Sequence, residues 1–151
     1  MNAPDASHDP EMTSPAQAAI GSLFGGPLAF ACFVRGNYVA IGRPTAANAA
    51  SAAGVLLGLA CNAAIALGIL LPEPLPFLGA FVFPAMPLAL MIAAYPIARR
   101  QIGSRGHGLR IRSNMRVFGT VALCLLASGF CALVTIIVAL AALLASSGFR
   151  T

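Results

Sequence analysis

At 151 residues the chain has the length of one ordinary domain, yet 59% of it is hydrophobic and only 9% charged, against roughly a quarter charged in soluble proteins. So few charges cannot coat so much apolar surface in water, which excludes a soluble enzyme or binding domain and calls for lipid as the outer solvent. The net charge of +5 comes from arginines that flank apolar runs, so it points to a membrane surface and away from nucleic acid.

Residues 1–16 (MNAPDASHDPEMTSPA) are polar, carry Asp5, Asp9 and Glu11, and have no Lys or Arg. They are expected to form a disordered acidic tail. Without a positive region ahead of the apolar run, they do not read as a signal peptide.

The first apolar run, 17–34, is near the lower limit for crossing a bilayer, about 17 residues. Gly25, Gly26 and Pro27 fall in its middle, and a kink is expected where Pro27 removes an amide donor. A polar connector, 35–48, follows with Arg35 and Arg43. The second span is expected over 49–71, closed by the Pro-rich turn Pro72-Glu73-Pro74-Leu75-Pro76. The third, 77–98, contains Pro84, Pro87 and Pro96 and should bend. Residues 99–116 form a basic loop, and the last span, 117–147, exceeds a hydrocarbon core of about 30 Å. Residues 148–151 are a short tail.

The expected fold class is therefore an all-α integral membrane protein with four transmembrane helices. The loops after spans one and three carry eight of the nine arginines. The positive-inside rule places them in the cytoplasm of a bacterial inner membrane, with both termini outside. Pro27-Leu28-Ala29 leading to Ile41-Gly42, and Pro87-Leu88-Ala89 leading to Ile102-Gly103, raise the option of two parallel-repeated hairpins.

Four cysteines, Cys32, Cys61, Cys124 and Cys131, lie in apolar runs without metal-ligand spacing and read as small packing residues. His8 and His107 lie in polar segments. GSRGHG around His107 lacks the Lys-Ser/Thr ending of a phosphate loop. No catalytic residue, metal site or cofactor is indicated. Gly21/Gly25 and Gly54/Gly58 have the spacing that lets helices approach closely in lipid. Asn62, near the middle of span two, needs a polar partner and is expected to face Ser128 or Thr135, or a carbonyl freed near Pro84. Asn62, Gly54, Gly58, Pro84 and Pro87 are thus candidates for helix packing or solute contact. Arg99, Arg100, Arg105, Arg110, Arg112 and Arg116 are candidates for anionic lipid headgroups.

No ionisable residue falls centrally in any span, so a self-sufficient proton-coupled transporter is not expected. The sequence favours a non-enzymatic membrane protein that packs with itself or with another membrane protein. The alternative is a small channel or permease for a neutral or anionic solute, acting as an oligomer. A lipid-modifying enzyme fits least well.

The segment FGGPLAFACFVRGNYVAIGRP resembles a family of small bacterial inner-membrane proteins in which a GGPLA helix leads into an Arg-Asn-Tyr, Leu-Gly-Arg connector. The matching residues are Gly25 through Ala29, then Asn37, Tyr38, Gly42 and Arg43; Gly36 is inserted after Arg35, and Ile41 replaces the usual Leu. The resemblance implies a membrane location and carries over no functional residue.

Overall fold

The computed structural model describes residues 11–70, 76–104 and 110–148, with backbone only for 76–84 and 147–148. In chain order it contains β1 (Glu11–Met12), α1 (Pro15–Ala40), α2 (Pro44–Leu70), α3 (Pro76–Gly103), β2 (Arg110–Ile111) and α4 (Asn114–Gly148). The fold is all-α, and the two short strands form one parallel pair, Glu11 against Arg110 and Met12 against Ile111. Residues 1–10 of the expected acidic tail, the Pro-rich turn from Pro72 to Leu75, Arg105, His107 and the last residues of the chain lie outside the described residues.

By length and composition α1, α2 and α4 are each apolar enough to cross a membrane. Geometry separates α1 from the others. Gly26 has φ 63° and ψ −154°, a backbone region open essentially to glycine alone. The following Pro27 cannot donate an amide hydrogen, which suits it to the first turn of a new helix. Together they reverse the chain.

Residues 15–25 and 27–40 therefore form an antiparallel hairpin. A Cβ on Gly21 would overlap the Phe33 ring, and one on Gly25 would overlap Ala29. The Thr13 amide donates to Asn37 Oδ1 at 2.7 Å, and Asn37 Nδ2 donates to the Thr13 carbonyl at 3.1 Å. The Asn37 side chain thus pairs with a peptide unit as a neighbouring strand would.

Two expectations are corrected by this reversal. The segment 17–34 is not one continuous helix: each arm of the hairpin is only about 16 to 21 Å long, short of a core of about 30 Å. Residues 11–13, expected opposite the arginine-bearing loops, lie beside them, with Glu11 on Arg116 at 2.7 Å. A Gly-Gly-Pro run is compatible with a kink or with full reversal. Here the Asn37 latch fixes the reversal.

The loops are also shorter than expected. The helix of α1 continues through the connector to Ala40 and stops in a Schellman motif. There Gly42, at φ 73°, donates to the Val39 carbonyl and Arg43 donates to that of Tyr38. Pro44 then opens α2. Likewise α3 runs on to Gly103 through Pro84, Pro87 and Pro96, so Arg99 and Arg100 are helical; Arg116 lies in the first turn of α4.

The hairpin is the packing centre, touching each of the other three helices. Ala29 and Phe33 pack with Ala94, Ala98, Val117 and Cys124. Gly54 lets α2 settle onto Ala31 and the Pro27 carbonyl, where a Cβ would collide. Residues 27–40 and the second half of α3 run side by side toward the arginine end.

Candidate functional site

Three polar features stand out in the apolar bundle. The first is a buried latch at the arginine end. Asn37 Nδ2 also donates to Gln101 Oε1 at 3.1 Å, and Gln101 Nε2 donates to the Val34 carbonyl at 3.2 Å. Gln17 Nε2 donates to the Arg112 carbonyl at 2.9 Å and to Asn114 Oδ1 at 2.7 Å. Gln17 also completes a capping box with Ser14, satisfying two otherwise orphaned amides. Thr13, Asn37 and Gln101 are all buried, and each finds partners, as buried polar groups must. The latch joins both arms of the hairpin to α3 and to the start of α4.

The sequence reading missed this latch. Asn37 and Gln101 follow apolar runs and read as loop or boundary residues. Their one signal is an uncharged amide at a position where the neighbouring exposed sites carry arginine.

The second feature is a cavity of about 550 Å³ beyond the tip of the hairpin. Pro27 and Leu28 form its end wall, α2 contributes Gly58 and Asn62, and α4 contributes Ser128 and Thr135. One side is open. Asn62 Nδ2 donates to the Gly58 carbonyl at 2.9 Å, which sets the amide so that Oδ1 faces α4. The Thr135 hydroxyl lies 3.3 Å from Asn62 Oδ1 and 2.9 Å from the Cys131 carbonyl. It has one proton to give, and the shorter bond lies within its own helix. Asn62 Oδ1 is therefore weakly held and faces the cavity. The Ser128 hydroxyl has no hydrogen-bond partner among the described residues. Among the described residues no Asp, Glu, His, Lys or Arg side chain lines the space.

Several sequence candidates meet here. Asn62 does face Thr135. Gly54 is a close helix contact, whereas a Cβ on Gly58 would meet nothing within 4 Å because that position fronts the cavity. Pro87 lies in α3 and does not line the cavity; the side chain of Pro84 is outside the described residues. The cysteines are all free. Cys32 and Cys124 meet at 4.0 Å between α1 and α4, and Cys61 meets Met86 at 3.0 Å between α2 and α3.

The third feature is a smaller pocket of about 260 Å³ at the arginine end, between the end of α1 and the end of α3. Tyr38, Arg43, Arg100 and Ser104 contribute polar groups, and Ile41 and Ile97 an apolar wall. Arg43 and Arg100 are exposed, as are Arg99, Arg110 and Arg116 among the other arginines, and Arg112 is half-buried. Arg112 Nε is buried without a hydrogen-bond partner among the described residues.

Comparison with known protein families, with curated proteins and with solved structures finds no match. The resemblance over Gly25–Ala29 and Asn37–Arg43 therefore rests on those residues alone.

Proposed function

We propose that this chain is a small, passive, non-enzymatic permease for a neutral solute, built from three membrane-crossing helices and one hairpin that enters and leaves on the same side. On this reading α2, α3 and α4 cross, and α1 dips to about mid-membrane from the arginine-bearing side. The positive-inside rule supports taking that side as the cytoplasmic face of a bacterial inner membrane; on this reading the N-terminal segment is cytoplasmic and the end of α4 external.

The observation that carries the reading is the broken helix ending against a cavity. Irregular backbone at membrane depth is tolerated where it is buried in protein or lines a cavity, and interrupted helices commonly form midplane solute sites. Asn62 Oδ1 and the Ser128 hydroxyl supply the polar contacts. With no Asp, Glu, His, Lys or Arg on its walls among the described residues, the cavity suits an uncharged solute and offers no carboxylate or histidine relay. The outward Leu and Phe side chains of α2 and α4 suit lipid as well as a protein partner, so they favour no association role.

The test is flux. Vesicles containing the purified protein should re-swell faster than empty vesicles after osmotic shrinkage with glycerol or urea, and an imposed pH gradient should not alter the rate. Gly58→Leu, which has room to project into the cavity, should abolish the gain while leaving the protein folded. Equal rates for Gly58→Leu and wild type, or for protein and empty vesicles, would remove the permease reading.

A further inference from the structure

The small pocket at the arginine end is positively charged, and no carboxylate among the described residues neutralises it. Arg43 comes from the turn that follows the Schellman motif, and Arg100 from the last turn of α3. They are brought to one pocket because Gln101 ties α3 to the Val34 carbonyl and to Asn37. Neither guanidinium has an ion pair or hydrogen bond among the described residues, and the one described carboxylate, Glu11, is held by Arg116. The Tyr38 hydroxyl is likewise without a partner there. Two forked cations and a phenol beside an apolar wall of Ile41 and Ile97 make a specific pattern. Guanidinium N–H pairs match phosphate oxygens, and the isoleucines match an apolar body attached to the phosphate.

We infer that Arg43, Arg100 and Tyr38 hold one phosphate group, carried by an anionic phospholipid that rests against α1 and α3. This site is independent of the cavity beyond the hairpin tip. It also differs from a diffuse attraction of lipid to the basic surface, in which every arginine would count about equally.

Native mass spectrometry of the full chain in mild detergent reads it directly, with phosphatidylglycerol, phosphatidylcholine and inorganic phosphate offered separately. One phosphatidylglycerol should be retained in preference to phosphatidylcholine, whose quaternary ammonium offsets its phosphate. Arg43→Gln and Arg100→Gln should each weaken retention by about tenfold or more, as expected for a charged hydrogen bond. The double variant should fall little further, because both side chains hold the same group. Arg99→Gln and Arg110→Gln should each cost about fivefold at most. If a Gln variant does not fold, the Lys variant at that position keeps the charge without the fork and should still bind more weakly. Retention of inorganic phosphate that competes with the lipid would keep the clamp but assign it to a soluble anion. Undiminished retention in the Arg43 and Arg100 variants, or equal losses at Arg99 and Arg110, would overturn the site.

Discussion

The two halves of the bundle differ sharply in how they are filled. In the half that holds the hairpin, Ala18, Ala29, Phe33, Asn37, Ala94, Ala98 and Gln101 are buried, and the amide side chains satisfy one another. Past the hairpin tip, α2 has no buried residue after Gly54 and α4 has only Ala139 after Cys124, among the described residues. The arginine half is thus a packed, latched core. The other half is a set of helices around an open space. Stability is concentrated in the first, and conformational freedom is left to the second.

The sharpest way to break this contrast is at the turn. Gly26→Val places a branched side chain at φ 63°, where only glycine sits without strain, and should destabilise the protein by roughly 3 kcal/mol or more. Loss of the monodisperse detergent-solubilised species, or a fall in its melting temperature, checks it. Asn37→Leu comes next. It strips partners from the Thr13 amide and carbonyl and from Gln101 Oε1, and buried orphans of this kind should cost about 2 to 3 kcal/mol in total.

The corresponding amide in the open half should behave differently. Asn62→Leu removes a polar group whose bond to Thr135 is long, so the melting temperature should move by less than the equivalent of about 1 kcal/mol, while solute flux falls. A large loss of stability there would mean that the open half is also latched. Smallest of all, Glu11→Gln deletes an ion pair at a largely exposed Arg116 and should cost under about 1 kcal/mol. The thermal melt should barely shift.

Much of the open half was legible in the sequence. Apolar runs bounded by Pro and Arg located α2, α3 and α4 to within a few residues, and a lone Asn62 in lipid had to find a polar neighbour on another helix. The hairpin was not legible, for a physical reason. Gly25-Gly26-Pro27 permits any sharp change of direction, and local chemistry does not choose the angle. The choice is made by Asn37 meeting Thr13, 24 residues away, and by Gly21 accommodating Phe33. Charge counting set the N-terminal segment opposite the arginine-bearing loops, whereas the reversal within one apolar run brings Glu11 and Met12 beside Arg110, Arg112 and Arg116.

The sidedness of three positions tests the hairpin most directly. On a cysteine-free background, Ala16→Cys, Ser104→Cys and Ser146→Cys can each be challenged in intact cells with a maleimide that does not cross membranes. All three positions are exposed. Ala16→Cys and Ser104→Cys should react only after permeabilisation, and Ser146→Cys should react from outside. Labelling of Ala16→Cys together with Ser146→Cys in intact cells, with Ser104→Cys protected, would show that α1 crosses the membrane and would contradict the account.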